Sequence, residues 1–196
     1  MNTYLTIYHK LKTIVSQIFK TLKLNDREHP KGRKPKLTNS EAATCAILKQ
    51  KQNIATKKSL WEILEPPLSY QKFVDALIRI APYLARITAA LLLFAREQAH
   101  PVKFTDATDI PVCLNKNARH HKTMEGLARW SKTGKGSFYG LKLHLSADVK
   151  GNVLALKFTP GNSDDRAIFK KMNNKLKGLF IADAGYVSKN LERDFF

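Results

Sequence analysis

Two aspartates stand where short apolar runs stop. Asp106 follows Val102–Thr105, and Asp183 follows Leu179–Ala182. Each run has the length and side chains of a short strand, so each carboxylate is expected at a strand end. A carboxylate there is costly unless it is paired, hydrogen-bonded or bound to metal. Although far apart in sequence, the two can meet on adjacent strands. Hard oxygen ligands brought together in this way suit Mg2+ or Mn2+. Two such ions can activate a water or a 3′-hydroxyl and stabilise the leaving oxygen of an in-line phosphoryl transfer. The plainer alternative is that either aspartate caps the loop or helix after it. Asp109 is the rival to Asp106, but it falls past the expected strand end, just before Ile110-Pro111, where a turn or cap is more natural.

The elements that must position these residues are readable from period and punctuation. Phe138–Asp148 alternates as a strand, Lys150-Gly151-Asn152 is a turn, and Val153–Phe158 is the partner strand, closed by Thr159-Pro160. Residues Asn162 to Asp165 can cap a helix running to about Leu176. The order strand, hairpin, helix, strand is that of an α/β domain. Lys142 and His144 share one strand face, opposite Leu141, Leu143 and Leu145. That face is either solvated or in contact with nucleic acid near the carboxylates. Asp164 and Asp165 read as helix caps, and Tyr186 as a packing residue. Lys116–Lys135 is basic, with little apolar periodicity, and reads as a mobile insertion that could hold nucleic acid. His120 and His121 lack the companion ligands of a zinc site.

Upstream, the period is helical. Leu5, Ile7, Leu11, Ile14, Ile18 and Leu22 mark a first helix within residues 1–24. A linker over 25–36 carries the breakers Pro30, Gly32 and Pro35 and the basic cluster Lys31, Arg33, Lys34 and Lys36. Thr38 to Glu41 starts a helix to about Gln52. Lys57–Leu64 forms another, stopped by Pro66-Pro67. A fourth begins after Ser69, and a fifth covers Tyr83–Gln98. Residues 1–100 thus read as a helical, helix-turn-helix-like unit, and 101–196 as the α/β domain. Short helices with a basic flank suit DNA, with the linker cluster as a backbone-contacting arm. A helical bundle with a solvated surface and a solvated linker is the competing view.

A net charge of +18 with a pI near 10.0 points to a polyanionic partner. The excess is spread over both halves, so it is not a detachable tail. Cys45 and Cys113 match no metal spacing, and Cys45 sits among alanines as a buried thiol. A reducing, cytoplasmic and nucleoid-associated setting is expected. The apolar stretch Ile87–Ala95 is about half of the roughly 20 residues a bilayer span requires, so no membrane association is expected.

Four blocks together resemble a known family. FTDATDIPVC (Phe104–Cys113), FYGLKLHL (Phe138–Leu145), LKFTPGNSDD (Leu156–Asp165) and FIADAGY (Phe180–Tyr186) look like the signature blocks of bacterial insertion-sequence DDE transposases, in that family's order. The resemblance implies an RNase H-like fold for the second half, with Asp106 and Asp183 as its first two catalytic, metal-binding acids. It implies two Mg2+ or Mn2+ ions in the complete site, and double-stranded DNA, as element ends and target, as partner. It also implies a homo-oligomer when full length. The activity implied is cutting at element ends and joining the freed 3′-hydroxyl to target DNA. The family's third acid is a Glu on a later helix, and Glu192 falls in the wrong element for it. The resemblance therefore suggests a copy shortened at the C-terminus and inactive alone, with an uncovered apolar surface. A non-catalytic DNA-binding derivative is the alternative. A basic RNA-binding protein is a third reading, which leaves the two aspartates unexplained.

Overall fold

A computed structural model describes residues 3–26, 35–134, 136–186 and 191. The chain divides into two compact units, Met1–Ala90 and Leu91–Phe196. The first is built from α1 (Thr3–Thr21), α2 (Asn39–Lys51), α3 (Lys57–Leu64), α4 (Tyr70–Arg79) and the start of α5 (Ala81–Glu97). Local chemistry sets these boundaries. Thr38 accepts from the Glu41 N–H while the Glu41 carboxylate accepts from the Thr38 N–H, a reciprocal cap that starts α2. Thr56 caps α3 by accepting from Ser59 N at 2.9 Å, and α3 ends at Glu65 in a left-handed conformation. Two adjoining cores result. Leu48, Leu60, Phe73 and Ile80 form one, and Val15, Phe19, Ala43 and Ile87 the other, where Phe19 stacks on Tyr83.

The chain entering α2 is tied to the rest of this unit by polar groups. Ser40 N donates to Asp26 Oδ1 at 2.7 Å, and Asn39 Nδ2 donates to Asn25 O at 2.9 Å. Asn39 Oδ1 in turn accepts from Arg79 Nε at 3.1 Å. Burial pushes the Cys45 thiol up to about 12, so it stays protonated. Among the described residues no single helix is long and apolar enough to cross a membrane.

The second unit is a mixed sheet of β1 (Val102–Pro111), β2 (Arg129–Thr133), β3 (Gly136–Asp148), β4 (Val153–Pro160) and β5 (Leu179–Ala182), with α6 (Asp165–Asn173) packed against β3 and β4. The mixed α/β class is the one expected. The central strand β1 pairs antiparallel with β3 and parallel with β5, while β2 and β4 pair successive parts of the other edge of β3. Arg96, in the last turn of α5, donates to Leu154 O at 2.7 Å and to Met172 O at 3.2 Å.

Two expectations need correction. β1 does not stop at Thr105 but continues to Pro111, because β3 offers it hydrogen-bonding partners as far as Gly140. Close approach there requires glycine, since a Cβ on Gly140 would lie 2.1 Å from Ile110 O. Asp106 is therefore inside a strand rather than at its end. Lys116–Lys135, read as a mobile insertion with little periodicity, also contains regular structure. It holds a short 3-10 helix, Asn115–His120, and β2, whose Trp130 lies opposite Tyr139 with ring centroids 5.7 Å apart. Lys135 itself lies outside the described residues.

The sheet's two faces differ in an unusual way. The face under α6 carries Lys103, Thr105, His144, Ser146 and Asp148, all buried. Thr105 and Ser146 share a hydroxyl hydrogen bond of 2.8 Å. Lys103 Nζ donates to the carbonyls of His100 at 2.9 Å and Pro101 at 3.3 Å, and also to that of Lys177. Gly178 permits this crossing, because a Cβ there would sit 2.2 Å from Pro101 O. On the opposite face, Phe104, Phe158, Leu179 and Ile181 are exposed.

Two stability effects follow. Thr38→Ala removes half of the reciprocal cap and should cost about 1 kcal/mol in urea unfolding. The second concerns Asp148 at the β3–β4 turn. Burial acts to raise its pKa, but hydrogen bonds from the Asn152 side chain and from the N–H groups of Asn152, His100 and Lys150 outweigh it and hold the carboxyl at about 2. A carboxyl depressed on folding stabilises above its unfolded value and loses that effect as pH falls through its folded value. Asp148→Asn should therefore lower the urea midpoint at neutral pH, with the gap to wild type closing between pH 3.8 and about 2.

Candidate functional site

Register places the two aspartates together. β1 and β5 run parallel with Thr105 opposite Ala182, so the next residues along, Asp106 and Asp183, stand side by side at the point where β5 ends. Asp106 alternates away from the buried Thr105 and is exposed, as is Asp183. Each has one oxygen held by its own backbone. Asp106 Oδ1 accepts from Ala107 N at 2.7 Å, and Asp183 Oδ1 accepts from Gly185 N. No hydrogen bond falls on Oδ2 of either among the described residues.

Asp109 is inside β1, not in a turn. It lies opposite Lys142 and lines a cleft with Thr108, Cys113 and Lys116. Three residues past Asp106, it is on the opposite sheet face and about 10 Å further along the strand. The β5 register therefore pairs Asp183 with Asp106 and not with Asp109.

An exposed pair of carboxylates with an outward oxygen each is a donor set that fits a hard divalent cation. Among the described residues no group of three or more His, Cys, Asp or Glu gathers at one point. Glu192 lies outside the described residues. The 3-10 turn Ala184–Tyr186 follows Asp183 directly and buries Tyr186, whose ring meets Phe169 of α6 edge-on at 5.9 Å. Burial, and then the carboxylates of Asp165, Asp106 and Asp183, raise the Tyr186 phenol above its ordinary value. The phenol therefore stays protonated, with three carboxylates in electrostatic range.

Behind this pair, on the face under α6, sits a compact ion-pair network. Lys142 Nζ contacts both oxygens of Asp165, at 2.9 and 3.1 Å. His144 Nδ1 lies 3.8 Å from Asp165 Oδ1, and His144 Nε2 shares a 2.8 Å hydrogen bond with Thr159 Oγ1. Burial lowers the His144 pKa, Asp165 opposes that, and Lys142 and Lys157 add to it.

These positions correct the reading of Lys142 and His144 as DNA-contacting residues on an open face. His144 is 1% exposed and the Lys142 side chain 13%, because Asp165 and Thr159 supply the partners that make their burial tolerable. Lys31, Arg33 and Lys34 lie outside the described residues. Lys36 is exposed and borders a cleft with Lys72 and Asp75. Sequence reasoning treated Asp165 as a cap and passed over Thr159 and Arg166. The signal was present in the polar residues at 142, 144, 146 and 148, which alternate at period two and meet Lys103 and Thr105 across the β1 register.

The profile of a transposase DDE domain matches residues 96–196. In three dimensions the chain is similar to one in the crystal structure of the Mos1 strand transfer complex, at 17% identity and a TM-score of 0.27. That likeness covers 90% of this chain but 61% of the other, so this chain spans less than two thirds of its length. No curated protein matches in sequence.

Because burial disfavours the imidazolium of His144, the unfolded state binds its proton more readily. Folding stability should then fall as pH drops below the ordinary histidine value of 6.5. Urea midpoints taken from pH 7.5 downward should show that slope in the wild type and a flatter one in His144→Gln.

Proposed function

The chain belongs to the transposase DDE domain family, and from that premise we propose that it handles the DNA ends of an insertion sequence. On this reading it binds element-end duplex and presents Asp106 and Asp183 for metal-dependent strand cleavage and transfer. The observation that carries the proposal is the parallel β1–β5 register, which sets these two acids next to each other. Family members generally use divalent metal ions. Asp106 and Asp183 would hold the ion, Mg2+ or Mn2+, and its chemistry would be to sharpen an oxygen nucleophile and neutralise charge on the phosphate.

The protein's own residues do the rest by placement. Ala107 N and Gly185 N fix one oxygen of each carboxylate, orienting the other outward. The RNase H-like reading of Leu91–Phe196 rests on family membership together with the strand, hairpin, helix, strand order. In the helical unit, α2 and α3 are joined by residues 52–56 and form the helix-turn-helix-like pair. Lys57 and Lys58 stand exposed at the start of α3, beside the Thr56 cap. Lys36, Lys20, Lys23 and Lys51 add exposed positive charge to that unit. Such charge attracts phosphate without sequence preference, and base contacts must supply discrimination.

Fluorescence anisotropy with the inverted repeats flanking this chain's own coding region tests the proposal. At matched salt, the repeat duplex should bind at least about tenfold tighter than a scrambled duplex. Lys57→Ala with Lys58→Ala should weaken both and reduce the salt slope. Equal affinity for repeat and scrambled DNA would overturn the proposal in favour of a general basic nucleic-acid binder. Specific binding that no divalent ion alters, together with no Mn2+ binding at the aspartates, would leave a binding-only protein.

A further inference from the structure

Asp183 is the first residue past a four-residue edge strand, and three of that strand's residues are exposed. So little packing cannot by itself fix where the carboxylate points. Orientation comes instead from the 3-10 turn that follows, where Gly185 N holds Asp183 Oδ1 and Tyr186 N donates to Asp183 O at 3.0 Å. The fit is close, since a Cβ on Gly185 would come within 3.2 Å of Asp183 Oδ1. Arg166 of α6 reaches the middle of this turn, its Nε donating to Gly185 O at 2.7 Å.

Arg166 is itself held at the start of α6. Its N–H donates to the capping carboxylate of Asp164 at 3.1 Å. The neighbouring Asp165 is clamped to β3 through Lys142 at 2.9 Å. A continuous path of polar contacts therefore runs from β3 through Lys142 and Asp165 to the first turn of α6, and from Arg166 to the peptide unit that aims Asp183. We propose that Arg166 is a positioning residue for Asp183, acting through Gly185 to hold that carboxylate beside Asp106. The proposal rests on the reading of Asp106 and Asp183 as a divalent-cation pair. It adds that the pair's affinity depends on a residue that is not itself one of the ion's ligands.

Mn2+ binding to the full chain, followed by electron paramagnetic resonance at a temperature where circular dichroism shows each variant folded, tests it. Asp106→Ala and Asp183→Ala should each abolish the bound signal. Arg166→Met should weaken Mn2+ binding about tenfold, the low end for loss of a group that orients a ligand. Arg166→Lys, which keeps a donor of similar reach, should recover most of it. A merely structural role would lower the melting temperature of Arg166→Met without changing its affinity when folded. Arg166→Leu, which also lacks a donor, replaces the methionine variant should that one fail to fold. If both aspartate variants lose Mn2+ while Arg166→Met or Arg166→Leu binds it as the wild type does, the positioning role is refuted and the cation pair stands. If the aspartate variants bind Mn2+ like the wild type, the cation pair fails and the positioning role fails with it.

Discussion

The α/β unit depends on one long antiparallel pairing, β1 against β3, unbroken from Lys103 opposite Asp148 to Pro111 opposite Gly140. It keeps β1 in an interior position and leaves its other edge for β5. It also fixes alternation along β1, so Thr105 points under α6 while Asp106 points away from it. A slip of one residue would exchange the two and bury the carboxylate. Gly140 and Gly178 guard the two ends of this arrangement. At each, backbone carbonyl oxygens approach to distances that no side chain would tolerate.

The polar interior beneath α6 is tolerable because nearly every group in it has a partner. Lys103 finds three carbonyls, Thr105 finds Ser146, His144 finds Thr159, and Lys142 finds Asp165. Directional contacts of this kind specify geometry more sharply than apolar packing does, which suits a layer lying directly behind Asp106 and Asp183. Phe169 and Met172 of α6 fill the remaining space, with Phe169 edge-on to Phe180. The exceptions are Asn173 and the Tyr186 hydroxyl, whose buried polar atoms have no partner among the described residues.

Much of this was legible in the residues. The Thr38–Glu41 cap and the Lys57–Leu64 helix ahead of Pro66 rest on local chemistry, and local chemistry sets their observed ends; Leu179–Ala182 shows as an apolar run, and its ends match its ladder with β1. What could not be read is what depends on partners distant in sequence. The continuation of β1 past Asp106 needs β3, and β2 needs the first part of β3, so neither shows a strong pattern of its own. The burial of Lys142 and His144 was hidden for the same reason, since both look like surface residues until Asp165 and Thr159 arrive from later elements. The adjacency of Asp106 and Asp183 is a matter of register, which no spacing reveals.

The inversion of the two sheet faces has a thermal consequence. Heat capacity of unfolding rises with the apolar surface newly exposed and falls with the polar surface newly exposed. In this unit, Phe104, Phe158, Leu179 and Ile181 already face solvent when folded, while Lys103, Thr105, His144, Ser146 and Asp148 do not. Unfolding therefore uncovers a larger polar share than an ordinary half-buried sheet does. The unit's free energy of folding should trace a shallower curve with temperature, held more by enthalpy of directional contacts than by release of water from greasy surface.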